Sequence, residues 1–256
     1  MKTVKEIEML LKDLEEPTEW LKELESDPRA GVQKALKRWA KNAEKRKRIR
    51  LAHEEKKAFD ASYKPFQEAY VAGVDEAGRG PLAGPVVTAC VILPDTCDEL
   101  IGLDDSKTIS RTKRAQFAEK IKAVAIDFAV HIQPAAVIDQ INIYEATRQS
   151  MEKSVQKLSI KPHFVIVDAM RLSLSQRTAS VTKADAQSLA VAAASILAKT
   201  TRDQFMDQLH DEFPMYQFQK NAGYGTTDHI EALKKYGPTI HHRKTFEPVK
   251  SILLNR

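Results

Sequence analysis

Along the opening stretch of the chain, apolar residues recur at helical spacing. Ile7, Leu10, Leu11 and Leu14 form one stripe, and Val32, Leu36 and Trp39 begin another. No strand-like alternation interrupts them. Asp27-Pro28 reads as a cap followed by proline at the first helical position. Residues 1–66 are therefore expected to form a separate all-α appendage, a hairpin of two helices. From Tyr70 onward the pattern changes. Residues 70–74, 85–93, 126–132 and 164–167 are short runs rich in β-branched residues and predict strands. Residues 115–124, 144–158, 185 to about 213, and 228–236 predict helices. Strands interleaved with helices predict an α/β core over residues 67–256, with helices covering the sheet.

Composition narrows the class without deciding it. The chain has 256 residues, 43% of them hydrophobic and 29% charged, enough for one sizeable core plus the appendage. The longest small-apolar run, residues 189–198, falls far short of the roughly 20 residues a membrane span needs. The N-terminus is charged from Lys2 onward, so no secretory or membrane segment is expected. Cys90 and Cys97 show neither metal nor redox spacing, and free thiols in a reducing cytoplasm are expected.

The net charge of +5 and the sequence pI of about 9.0 are compatible with a polyanionic partner but identify none. That charge is unevenly spread. Residues 1–30 carry five basic and nine acidic side chains, whereas residues 31–57 carry eleven basic and three acidic. A solvated helix face and a grip on nucleic acid explain the basic run equally well.

Two of the expected strands end in carboxylates: residues 71–74 lead into Asp75-Glu76, and residues 164–167 lead into Asp168. In open α/β sheets, ligands sit where strands end. A carboxylate there lies too near the core to be freely solvated and needs a compensating cation. Asp185 opens the expected long helix, where its ordinary role is an N-cap. Ser188, Ala192, Ser195 and Lys199 follow it at helical spacing. Lys199 falls on the order of 20 Å along the axis, suited to a phosphate further along a bound strand. The small residues 190–194 suit a helix lying close against a sheet.

After Glu76 comes the turn Ala77-Gly78-Arg79-Gly80-Pro81. Its glycines leave backbone groups open to close approach, and the arginine offers a planar fork for phosphate. Tyr224, set between Gly223 and Gly225, is a ring presented for stacking on a sugar or base. His241-His242-Arg243-Lys244 reads as a further basic cluster, with the paired histidines at the surface.

The segments 71–87, 104–107, 167–170, 183–203, 223–229 and 241–246, in this order, resemble ribonuclease HII from about Tyr70 to Phe246. The resemblance implies a ribonuclease H-like fold: a mixed five-stranded sheet flanked by helices, with a helical C-terminal segment. It implies that Asp75, Glu76, Asp168 and Asp185 bind two divalent ions, Mg²⁺ or Mn²⁺. It places Gly78, Arg79 and Gly80 at the ribose 2′-hydroxyl and its phosphate, and Tyr224 at the ribonucleotide–deoxyribonucleotide junction. Lys107, Ser195 and Lys199 match phosphate contacts. Arg79 separates the chain from the related HIII enzymes, which lack that arginine. Ala184 and Thr245 depart from the family's usual glycine and serine without removing a ligand. The expected partners are RNA–DNA hybrids and duplex DNA with an embedded ribonucleotide, met by a cytoplasmic monomer without a membrane. A DNA-directed nuclease of the same superfamily and a non-catalytic hybrid binder remain the alternatives.

Overall fold

The computed structural model describes residues 2–104, 106 and 109–255. Two units divide the chain, Met1–Glu54 and Glu55–Arg256.

The first unit contains helices α1 (Val4–Asp13) and α2 (Glu19–Glu25) and most of α3 (Ala30–Ala61). The expected two-helix hairpin is thus three helices. Pro17 is the reason: it breaks the helical pattern, and its neighbour Thr18 is extended as α2 begins. The apolar stripes meet as foreseen, with Ile7, Leu11, Leu21, Leu24 and Val32 buried and Leu14, Leu36 and Trp39 packed around them. Leu10, expected in the stripe, is exposed. Asp27 does not cap α3 as expected, because the helix starts at Ala30. Instead its carboxylate accepts the Arg29 N–H at 3.0 Å and pairs with the Arg29 guanidinium at 2.6 Å.

The second unit is built on strands β1 (Val71–Ala77), β2 (Val86–Ile92), β3 (Asp127–Gln133), β4 (Phe164–Asp168) and β5 (Arg177–Val181). Its helices are α4 (Arg111–Val124), α5 (Ala135–Ile141), α6 (Ile143–Gln156), α7 (Ala184–Gln187), α8 (Leu189–Glu212), α9 (Phe218–Asn221), α10 (Thr227–Tyr236) and α11 (Val249–Leu254). The sheet order is β3-β2-β1-β4-β5. The β1–β2 and β2–β3 pairs are antiparallel, while β1–β4 and β4–β5 are parallel. Strand β5 and helix α5 had no counterpart in the apolar pattern. β5 (Arg-Thr-Ala-Ser-Val) is a polar edge strand with little to bury, so only its pairing with β4 defines it.

Both sheet faces are covered. On one side Val87, Ala89 and Val91 pack against the small residues of α8 and against Ala118 and Ile121 of α4. On the other, Ala72, Val74, Cys90 and Val165 pack against Met151 and Val155 of α6. A Cβ on Gly73 would sit 2.2 Å from the Ala190 backbone, so the alanine run brings α8 into direct backbone contact with β1. A third cluster gathers Leu82, Met206, Tyr216, Phe218 and Leu233, joining the C-terminal helices to the loop after β1.

The expected single helix over residues 185–213 is interrupted at Ser188, whose backbone is extended (φ −106°, ψ 131°). Its hydroxyl accepts the Val191 N–H at 3.0 Å, and the Asp60 carboxylate accepts the Ala190 N–H at 2.9 Å. Two side chains thus cap α8 where the sequence pattern ran straight through.

Candidate active site

β1 and β4 run side by side with Val74 opposite Val167, so the next residues, Asp75 and Asp168, stand together where that pairing ends, while Asp75 stays paired with Ala89 of β2 and Asp168 with Val181 of β5. Successive strand residues face opposite ways. Asp75 shares the face of Gly73, towards α8, and Glu76 shares that of Val74. Glu76 N–H donates to Asp75 Oδ1 at 2.7 Å. Asp168 Oδ1 accepts the Ala184 N–H at 2.8 Å, which ties the end of β4 to the turn carrying Asp185. This explains why alanine serves at 184: its backbone N–H does the holding, while its methyl packs among Val71, Ile166 and Val191. Asp185 is nearly buried in α7. It therefore lies in α7, before the break at Ser188, and not on the continuous helical face expected for residues 185–199.

Electrostatics mark Asp75 as the strained member. Burial pushes its pKa well above the usual carboxylate range, and the charges of Glu76 and Asp168 push it further. Hydrogen bonding from the Ser195 hydroxyl and the Glu76 N–H opposes this. Ser195 has one hydroxyl proton to share between Asp75 and Ser106 Oγ, which lies 3.0 Å away. Among the described residues, no lysine or arginine forms an ion pair with Asp75. A hard divalent cation fits this all-oxygen donor set, and it would relieve the repulsion within it.

Lys56 and Asp60 were not anticipated from the sequence. Lys56 is buried, and its Nζ reaches Asp104 Oδ1 (3.1 Å), the Leu103 carbonyl (3.4 Å) and the Asp185 carbonyl (3.5 Å). Burial pushes the Asp60 carboxyl up to about 6, against hydrogen bonding from Ser188, Ala190 and Leu189. In the sequence both look like ordinary charges near a helix end, and nothing there signals their burial.

The glycine-arginine-glycine turn adjoins the carboxylates through Glu76, whose Oε1 lies 3.5 Å from Arg79 Nη1. Gly78 has φ +98°, a conformation that favours glycine. A Cβ on Gly80 would lie 3.5 Å from the Tyr224 ring, so the turn and this half-exposed tyrosine (51%) form one surface. The loop bearing Tyr224 is laced to the turn by Leu82 N–H donating to the Gly223 carbonyl at 2.8 Å.

Two fully buried arginines hold these loops. Arg243 donates to the carbonyls of Gly78, Arg79 (2.7 Å) and Gly84 (3.0 Å). Arg202 donates to the carbonyls of Ala83 (3.1 Å), Pro85 (3.1 Å) and Ala222 (3.0 Å). Burial lowers both guanidinium pKa values, to about 10 for Arg202 and about 9 for Arg243, and both stay charged at neutral pH. The cluster at 241–244, expected at the surface, is half interior: His242 and Arg243 are fully buried. The reason is structural demand, since the turn's carbonyls need donors and the polar sequence context conceals that need.

The remaining candidates are more dispersed. Lys199 is tied to Asp203, which also faces Arg114 at 3.4 Å. Lys107 lies outside the described residues.

Comparison with known proteins matches this layout. The ribonuclease HII family model covers residues 72–249, and the ribonuclease HII N-terminal domain model covers residues 3–64. Ribonuclease HII of Halalkalibacterium halodurans is 44% identical over 99% of this chain and 97% of its own length. That of Bacillus subtilis is 45% identical over 97% of this chain and 98% of its own. Among solved structures, ribonuclease H2 from Pyrococcus horikoshii superposes with a TM-score of 0.64 at 28% identity, covering 73% of this chain and 98% of that one. The mixed sheet, the strand-end acids and these near full-length likenesses agree, and the chain belongs to the ribonuclease HII family.

Proposed function

We propose that this chain hydrolyses the RNA strand of RNA–DNA hybrids and cuts beside single ribonucleotides embedded in duplex DNA, leaving 5′-phosphate and 3′-hydroxyl ends. One observation carries the reading. A buried Asp75, repelled by the charges of Glu76 and Asp168, is joined through Glu76 and Arg79 to a turn whose Gly80 abuts Tyr224. The first part suits phosphodiester hydrolysis and the second suits recognition of a sugar.

Asp75, Glu76, Asp168 and Asp185 hold the divalent metal, either Mg²⁺ or Mn²⁺, since hard oxygen donors without His or Cys suit both. When bound, two such ions supply Lewis-acid activation of water and charge neutralisation at the phosphate. The chain's own residues do the rest. Arg79 presents a bidentate fork to the phosphate. Gly78 and Gly80 admit the ribose close to the backbone, where the 2′-hydroxyl distinguishes RNA from DNA. Tyr224 stacks at the junction. Lys107, Ser195 and Lys199 are assigned phosphate contacts, for which Lys199 exchanges its Asp203 partner. Residues 1–66 act as an accessory grip through the basic stretch of α3. The enzyme works as a monomer in the cytoplasm, a reducing compartment in which its two buried free thiols remain unpaired.

A duplex carrying one ribonucleotide tests the assignment. Asp75→Asn is expected to lower Mg²⁺-dependent cleavage by on the order of 10³-fold, the scale of several kcal/mol of metal-borne stabilisation. Near-normal cleavage by that variant would remove Asp75 from the metal site.

A further inference from the structure

Behind Tyr224 lies a buried chain of hydrogen bonds in which every donor and acceptor is determined. It begins at Thr239, whose backbone N–H points at His242 Nδ1 from 2.9 Å and whose hydroxyl lies 3.0 Å from the same nitrogen. The Thr239 hydroxyl oxygen itself accepts the His241 N–H at 3.2 Å. A backbone N–H cannot act as an acceptor, so Nδ1 of His242 carries no proton. The neutral ring then bears its proton on Nε2, which faces His229 Nε2 at 3.0 Å. His229 Nε2 must accept, so its proton sits on Nδ1. That Nδ1–H donates to the Tyr224 carbonyl, 2.9 Å away.

The setting enforces this order. Both imidazoles are fully buried, and Tyr216 and Phe218 pack around them with ring centroids 4.9 to 6.0 Å away. Burial lowers both histidine pKa values, His242 to about 3, with His229 and His241 adding to the effect on His242. Neither ring is needed for packing alone, since an apolar side chain would fill the space without desolvating polar nitrogens. The Tyr224 carbonyl also accepts the Thr226 N–H at 2.8 Å. The histidine therefore adds a side-chain hydrogen bond to the backbone of Tyr224, whose own N–H donates to the Asn221 carbonyl at 2.9 Å.

We propose that His229 and His242 are positioning residues for Tyr224, acting as a one-way hydrogen-bond relay in which His229 Nδ1–H clamps the Tyr224 carbonyl. This rests on Tyr224 meeting substrate at the junction, as proposed above. The relay also makes a prediction that packing does not. Asparagine places its amide where Nδ1 lies and glutamine places its amide where Nε2 lies. His229→Asn keeps the clamp and loses the link to His242, whereas His229→Gln keeps the link and loses the clamp. A packing role ranks them the other way, because glutamine is closer to histidine in volume.

The experiment uses the full chain. In the substrate-free protein, ¹⁵N spectra of the imidazoles are expected to show His229 protonated at Nδ1 and His242 at Nε2. Backbone relaxation is expected to show residues 223–226 loosened in His229→Gln but not in His229→Asn. Swapped tautomers, or equal loosening in both variants, would overturn the relay. On a duplex with a single ribonucleotide, His229→Gln should lose junction preference by roughly three- to tenfold, the scale of one lost hydrogen bond, with His229→Asn near wild type. Calorimetric Mn²⁺ binding should be the same in all three proteins, and altered binding in His229→Gln would count against a role confined to Tyr224. If Tyr224→Ala leaves site selection unchanged, the substrate role of Tyr224 fails; the relay then stands or falls on the spectra.

Discussion

Asp75 is costly to the fold: a buried carboxylate beside two others, eased by hydrogen bonds from the Ser195 side chain and the Glu76 N–H. Its place at a strand end, followed by Glu76 and matched by Asp168 and Asp185, was legible because acids rarely follow apolar strands without cause. Asp60 was not legible, since its significance lies in what it caps. Its raised pKa has a consequence for stability. The folded value of about 6 lies above the roughly 3.9 of an unfolded aspartate. The folded state therefore binds this proton more tightly. The associated stability is fully present below about pH 4 and is lost as pH rises through about 6. Urea unfolding between those limits should show the loss, up to about a hundredfold in the unfolding constant for a two-unit difference. Asp60→Asn should remove that component of the slope, and an unchanged slope would assign it to other groups.

At the scale of elements, the strands and helices with an apolar face were legible, from β1 and β2 to α6 and α10. The features without one were not: polar β5, the extended residue Ser188 that separates α7 from α8, and the break at Pro17. Each depends on a partner distant in sequence or on one backbone-breaking residue. The turn after β1 was recognisable from its glycines, but the two glycines are not equivalent. At Gly78 φ is +98°, and a Cβ would meet Arg202 Nε at 2.1 Å and the Pro85 carbonyl at 2.8 Å. Gly78→Ala should destabilise the chain by at least about 1–3 kcal/mol and abolish cleavage. Gly80→Ala, whose Cβ would rest in ordinary contact with the Tyr224 ring, should fold normally. Equal denaturation midpoints for the two variants would refute the distinction.

For the whole molecule, the α/β core, its covered faces and the helical appendage followed from periodicity, whereas the purpose of the appendage did not. Lys37, Lys41 and Lys45 are exposed and recur every fourth residue along α3, so they share one face. Replacing all three with glutamate should weaken binding of a hybrid duplex most at low salt. It should also flatten the dependence of log K on log salt by about 2 to 3, if each lysine meets one phosphate. An unchanged salt slope would return α3 to a solvated face. Charge reversal is a cleaner test than deleting residues 1–66, which would also strip away Lys56, Phe59, Asp60 and Tyr63. Phe59 and Tyr63 pack among Val71, Ile166 and Val191, Asp60 caps α8, and Lys56 reaches Leu103, Asp104 and the Asp185 carbonyl, all within the second unit.

Arg202 and Arg243 between them donate hydrogen bonds to six carbonyls, those of residues 78, 79, 83, 84, 85 and 222, and, among the described residues, to no side chain. Scaffolding that grips only the main chain is indifferent to what the gripped residues display. Position 79 is therefore free to change its side chain without the loop losing its shape, a division of labour that lets substrate preference drift while the architecture beneath it stays fixed. Within such a design, new specificities are reached by exchanging the displayed group, and the interior arginines are what make that exchange cheap.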